Sequence, residues 1–177
     1  MNSSLDSQEA AGMELNPADR LQEAVSLRAE GDAEKARLLL AKLADAHPED
    51  AQIWYQLAWT HDSLGLEREA VPLYEKALSL GLPEKDDIGA RLGLGSTLRT
   101  LGSYGDSEKL LREALAKYPQ RREFNVFLAM TLHNLGRHAE AMELLLVQLA
   151  ETSSDEGISS YGRALSFYSD KLDRVWS

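Results

Sequence analysis

Four histidines, His47, His61, His133 and His138, are the side chains best suited to hold a metal or move a proton. None stands three or four residues from another, the helical spacing that aims two imidazoles at one ion. His133 and His138 are five apart, with Gly136 between them. The chain has no cysteine, which removes thiolate ligands, disulfides and a cysteine nucleophile, and fits a reducing compartment. Serines are frequent, but no Gly-x-Ser-x-Gly elbow is present. Gly93-Leu94-Gly95 lacks both the third glycine and the preceding strand of a phosphate-cradling loop. Glu67, Glu69, Asp86 and Asp87 read as helix-start or loop charges. Lys117, Arg121 and Arg122 make a small basic spot that reads as a solvated helix end. These residues assemble no catalytic set, so no enzyme activity, metal or cofactor is expected.

The elements that carry them are amphipathic helices. Trp54, Leu57, Ala58 and His61 recur at i, i+3, i+4 and i+7 and share one helical face. Ala70, Leu73, Tyr74, Ala77 and Leu78 do the same after a turn at Gly65. Such a hairpin cannot bury both faces alone and needs neighbours of the same kind. Gly31, Gly65, Gly102 and Gly136 are spaced 34, 37 and 34 apart. Ala36, Ala70, Ser107 and Ala141 keep that spacing, as do Leu40, Tyr74, Leu111 and Leu145. Leu57, Leu94 and Leu128 align in the first helices, as do Ala58, Gly95 and Ala129. Pro48 and Pro119 close the first and third units, and Pro83 closes the second one place late. The three extra residues, about 85–87, are expected in the connection after the second unit. Helix pairs are predicted over 17–29 and 33–46, 51–63 and 67–80, 87–100 and 104–117, and 122–134 and 138–151. Pro72 inside the fourth helix should cost one backbone bond and a slight bend. Gly95 sits at a position of close helix contact, whereas Gly89 and Gly93 weaken their helix with no packing role to explain them.

The repeat length with its Trp/Leu/Gly, Ala/aromatic and Pro positions resembles the tetratricopeptide repeat family over about 17–152, in a small bacterial-type form. The resemblance implies an all-α fold: an α-solenoid of about four helix-turn-helix units, 17–50, 51–84, 88–121 and 122–153, in a right-handed superhelix. Residues 1–16 read as a flexible tail and 174–177 as a short C-terminal one. A further helix is expected over about 155–172, within a capping segment 154–173, because Ile158, Tyr161, Leu165, Tyr168 and Leu172 form an apolar stripe that would cover the fourth pair. Val175 and Trp176 follow it, either tucked against the cap or exposed.

The resemblance further implies a concave surface, built from the first helix of each unit, that binds an extended peptide or a partner helix. Carried onto this chain, that surface offers Tyr55, Gln56, Trp59 and Asp62, then Leu92, Gly93, Ser96 and Arg99, then Phe127, Met130, His133 and Asn134. Aromatic walls flanking a glycine-rich middle suit an apolar or amphipathic segment. Gly93 between those walls gives the expectation that Gly93→Leu keeps the fold but blocks a ligand. Co-chaperones of this family grip a terminal carboxylate with basic and amide side chains. The matching places here hold Leu21, Val25, Gln56, Gly89 and Gly93, so that clamp is absent. The function expected is a protein- or peptide-binding adaptor, and the alternative is a self-associating, homo-oligomeric structural module. The net charge of −10 argues against a nucleic-acid partner, which needs Lys and Arg at its phosphates. No apolar run reaches membrane-spanning length and no secretory start is visible, so a membrane is not a partner and the cytoplasm is the expected location.

Overall fold

The computed structural model describes residues 16–176. The tail expected over 1–16 lies outside them except for Asn16, which caps the first helix. Among the described residues the regular elements are all helices: α1 (Pro17–Ala29), α2 (Ala33–Ala46), α3 (Ala51–Ser63), α4 (Glu67–Leu80), α5 (Glu84–Thr100), α6 (Tyr104–Lys117), α7 (Glu123–Asn134), α8 (His138–Thr152), α9 (Glu156–Ser160) and α10 (Gly162–Tyr168). Each helix packs on the next, and the first helices also stack on one another, α1 on α3, α3 on α5 and α5 on α7. The result is an α-solenoid of helix pairs.

The glycine period has a backbone cause. Gly31, Gly65, Gly102 and Gly136 have φ of +94°, +72°, +83° and +76°. Each sits one place past the cap residue of a first helix, in the left-handed region where a side chain is strained. Two bonds close each helix end in the same way. The Gly65 N–H donates to the Asp62 carbonyl and the Leu66 N–H to the His61 carbonyl, and the pairs at 31/32, 102/103 and 136/137 repeat the pattern. This double closure is the Schellman motif, which satisfies carbonyls the helix leaves open. Helix starts are set by side chains where the sequence allows. Asn16 accepts from the Asp19 N–H, and Asp50 accepts from the Gln52 and Ile53 N–H groups.

Two expectations change. The three extra residues do not form a connection. They add most of one turn to the start of α5, which begins at Glu84 after Pro83. Three residues are close to one helical turn, so the added length keeps the downstream faces in register. Asp87 is therefore no loop charge. It is buried on α5, 2.7 Å from Arg91 Nε, 2.7 Å from the Tyr118 hydroxyl and 3.1 Å from Lys117 Nζ. Burial pushes its carboxyl up, but those three donors outweigh it and hold the group below the usual carboxylate range.

The single helix expected over 155–172 is instead two short helices broken at Tyr161. Gly157 and Gly162 weaken the segment. Ser159 and Ser160 turn their hydroxyls back onto the Glu156 and Gly157 carbonyls, competing with the helix ladder. The break dissolves the apolar stripe. α10 packs on α8, yet Tyr161, Tyr168 and Leu172 are exposed. Trp176 folds back onto Phe167 and Tyr168, with ring centroids 5.8 and 6.1 Å away, while Val175 is 93% exposed.

The core follows the repeats as three overlapping clusters. Ala24, Leu40, Leu43, Ile53 and Leu57 join α1, α2 and α3. Tyr55, Ala58, Ala70, Tyr74, Ala90 and Leu94 join α3, α4 and α5. Leu111, Ala114, Phe124, Leu128, Leu132 and Ala141 join α6, α7 and α8. The inner first helices α3 and α5 each contribute to two clusters, Ile53 and Tyr55 on α3 and Ala90 and Ile88 on α5, which is how a stack of pairs buries one continuous core.

Candidate functional site

The twelve groove residues do not form one surface. Seven of them, Tyr55, Trp59, Asp62, Leu92, Gly93, Ser96 and Phe127, line a recess of about 520 Å³ between α3, α5 and α7. Arg99, Met130, His133 and Asn134 line a second recess of about 510 Å³ on α7 and α8. Gln56 belongs to neither. It is held by Arg28 of α1, which donates to its side-chain oxygen at 2.7 Å and to its carbonyl at 3.1 Å.

The floor of the first recess is made by two tyrosines, and the glycines above them are the reason they fit. A Cβ on Gly89 would lie 2.2 Å from the Tyr55 hydroxyl oxygen, and one on Gly93 would lie 2.5 Å from that of Tyr74. Any side chain at either position would occupy space a phenol already fills. Gly89 and Gly93 thus have a packing role, contrary to expectation, and the gap at Gly93 is filled from within. Gly93→Leu must therefore disturb the core before it blocks a ligand. Gly95 makes the same kind of contact, its Cβ position 2.8 Å from Leu111 Cδ2.

Tyr74 is 2% exposed, and its hydroxyl donates to Asp62 at 2.8 Å. Thr97 of α5 donates to the same carboxylate at 2.8 Å. Asp62 therefore fastens α3 to α4 and α5. Burial pushes its carboxyl up from the usual range, opposed by the two hydroxyl donors. Burial also raises the Tyr74 phenol, and the Asp62 charge adds to this, so Tyr74 stays a neutral donor.

Tyr55 differs. It is 7% exposed and lines the recess, and its hydroxyl makes no hydrogen bond among the described residues. Burial raises its phenol too, so the hydroxyl keeps its proton. The wall beside it is Trp59, 46% exposed, with its ring stacked on Tyr55 at 6.0 Å. Arg28 covers the Trp59 ring, its guanidinium carbon 4.1 Å from the centroid. Arg28 also donates to the Thr60 hydroxyl at 3.1 Å. The recess thus offers an exposed indole face, an apolar side from Leu92 and Phe127, and the Tyr55 hydroxyl at its floor.

Sequence reasoning missed Arg28 and Tyr74. Arg28 belongs to the first unit, from which no inner-face residue is expected, and Tyr74 lies on a second helix, outside the family's usual inner surface. The basic spot at Lys117, Arg121 and Arg122 is neutralised, since Lys117 meets Asp87, Arg121 meets Glu123 at 2.7 Å and Arg122 meets Glu151 at 2.5 Å. The turn at Gly136 folds His133 and His138 together, with ring centroids 4.7 Å apart. Among the described residues no three His, Cys, Asp or Glu side chains converge to hold a metal ion, and no helix is long and apolar enough to cross a membrane.

A family model described as tetratrico peptide repeat matches residues 51–172, and a tetratricopeptide repeat model matches 20–50. No curated protein matches the chain in sequence. Among solved structures, MamA AMB-1 is 22% identical over 80% of this chain and 77% of its own, with a TM-score of 0.66. YrrB, described as a TPR protein with an unusual peptide-binding site, is 21% identical over 88% of this chain and 77% of its own, also at 0.66. A MamA segment from Desulfovibrio magneticus is 18% identical over 90% of this chain and 97% of its own, at 0.64. At these identities the likeness is one of fold.

Proposed function

The chain belongs to the tetratricopeptide repeat family, and we propose that it is a non-catalytic adaptor that binds a protein or peptide segment in the recess between α3 and α5. The observation that carries this reading is the Tyr55 hydroxyl. Hydroxyls of nearly buried side chains are mostly bonded within the protein, and one left facing a recess is free to bond a ligand. Tyr55 instead presents its donor to an open recess beside an exposed tryptophan. A peptide supplies both complements: a large apolar side chain to lie on the indole, and a backbone carbonyl to accept from the hydroxyl. The proposed contact set is Tyr55, Trp59, Leu92, Ser96 and Phe127, with Asp62 and Gly93 shaping the floor rather than touching the ligand. That YrrB is described with a peptide-binding site supports a similar use of this fold.

The test is a peptide-display selection on the immobilised protein, counter-screened on Trp59→Ala and Tyr55→Phe. Selected peptides should share a large apolar residue, lose binding on Trp59→Ala and weaken about tenfold on Tyr55→Phe, the worth of one ligand hydrogen bond. Peptides that bind Trp59→Ala as well as they bind the wild type would sink the assignment.

A further inference from the structure

The solenoid uses one place in each first helix to reach the next unit three times, twice through a threonine and once through Asn134, and leaves that place without such a contact a fourth time. Counting back from each turn glycine, Arg28, Asp62, Arg99 and His133 hold the same place, three residues before Gly31, Gly65, Gly102 and Gly136. The first three each reach the first helix of the next unit. Arg28 donates to Thr60, Asp62 accepts from Thr97, and Arg99 donates to Asn134. His133 is the last of the series, and among the described residues no first helix packs on it. The recess beside it, lined by Met130, Ala141, Met142 and Leu145, lies where that helix would sit. α10 and the residues after it pack along α8 without filling it, and Met142 stays 43% exposed.

The opposite end of the molecule carries the matching half. Ser26 stands five residues before Gly31, the place held by Thr60, Thr97 and Thr131 before their own glycines. Those three threonines are buried in junctions, whereas Ser26 is exposed. Asp19, Gln22, Glu23 and Ser26 recur at helical spacing on that exposed face. The face is acidic, and the vacant junction is edged by Arg99, His133 and His138. Shape register and charge both point to the same occupant.

We propose that α1 of a second copy docks in the recess between α7 and α8, continuing the solenoid from one molecule into the next. His133 then meets Ser26 of the second copy as Asp62 meets Thr97 within the chain. The contact is heterologous, with two different surfaces joined head to tail, so it leaves one of each free and can repeat. It buries one helix face and is weak compared with an obligate interface. It uses neither Tyr55 nor Trp59, so it stands independently of the peptide recess.

The two surfaces can be blocked separately. Ser26→Arg places a cation opposite Arg99, on an exposed helical site where arginine is a good helix former. Met142→Glu places an anion opposite Asp19 and Glu23. Sedimentation velocity from micromolar to millimolar concentration should show the wild type associating, and each single variant weakened by about tenfold or more. Mixing the two variants is the decisive arm. Ser26→Arg keeps an intact recess and Met142→Glu keeps an intact α1, so the mixture should form dimers that grow no further. That rescue also shows that both variants are folded. A wild type that stays monomeric throughout the range, variants that assemble like the wild type, or a mixture that forms no dimer while the wild type assembles would each overturn the proposal.

Discussion

Gly93→Ala tests the packing of the recess floor most directly. In an ordinary helix interior this change gains about 0.5–1 kcal/mol, because glycine has more backbone freedom to lose on folding. Here the new Cβ would lie 2.5 Å from Tyr74 Oη and 2.7 Å from Cζ, both well inside van der Waals contact. The ring has little room to yield, since Tyr74 is 2% exposed and its hydroxyl is held by Asp62. Overpacking of this kind costs about 1–3 kcal/mol. Set against the helix gain, the expected net loss is about 0–2.5 kcal/mol. Urea unfolding followed by the helical circular-dichroism signal measures it. The control is the same change in a Tyr74→Leu background, where the clashing phenol is gone. There Gly93→Ala should be neutral or stabilising, so the double-mutant cycle should show a clear coupling between the two sites. Gly93→Leu should lower the melting temperature further. If Gly93→Ala stabilises the otherwise wild-type protein, Tyr74 does not occupy that space and the account of the floor is wrong.

Asp87→Asn should cost about 1.5–3 kcal/mol near neutral pH, because it removes the charged acceptor shared by Arg91, Lys117 and Tyr118. The folded carboxyl is held below its unfolded value, so the stability it contributes is present above the unfolded pKa and fades as pH falls through the folded one. Unfolding across an acid pH series should show a shallower acid limb in the variant. Asp62 has the opposite sign. Its carboxyl is raised in the fold, so its contribution is fully present below the unfolded pKa and is lost as pH rises through the folded value. Asp62→Asn keeps an acceptor for Tyr74 and should remove that loss, so variant and wild type should converge at low pH and separate in the variant's favour above it. Ala70→Leu inserts volume at a site with no exposed surface between α3 and α4. It should cost about 1–3 kcal/mol, and an unchanged urea midpoint would show that Ala70 does not face the core.

The repeat was legible because its strongest signal is a backbone constraint. A glycine at each Schellman turn recurs with the period whatever side chains surround it, and the small residues Ala36, Ala70, Ser107 and Ala141 recur with it. The bounds of α5 were not legible in the same way. Three inserted residues read equally as a longer loop or as an added turn, and a buried Asp87 decides for the turn only once Arg91, Lys117 and Tyr118 are known to meet it. The C-terminal segment failed for a different reason. Its apolar spacing was regular, but period alone ignores helix propensity, and two glycines with two serines in six residues broke the helix before the stripe could be buried.

The recess was half legible, and the missing half has a common physical origin. Inner-face positions can be assigned within one helix, but what fills the space above them comes from the neighbouring units. Tyr74 stands in a column otherwise held by Leu40, Leu111 and Leu145, so it is the bulkiest residue of its set. Gly93 stands in a column with Gln22, Gln56 and Phe127, so it is the smallest of its own. Each looks like an isolated departure when read along the chain. Read across adjacent units they compensate, a phenol gained where a side chain is lost. The same holds for Tyr55 and Gly89, whose column neighbours are Leu21, Leu92 and Val126 for the one and Ala18, Gln52 and Glu123 for the other. Size differences between columns of a repeat therefore carry contact information that composition and period do not. In this chain both compensating pairs converge on one place, where the Tyr74 hydroxyl is held by Asp62 and that of Tyr55 bonds no side chain among the described residues.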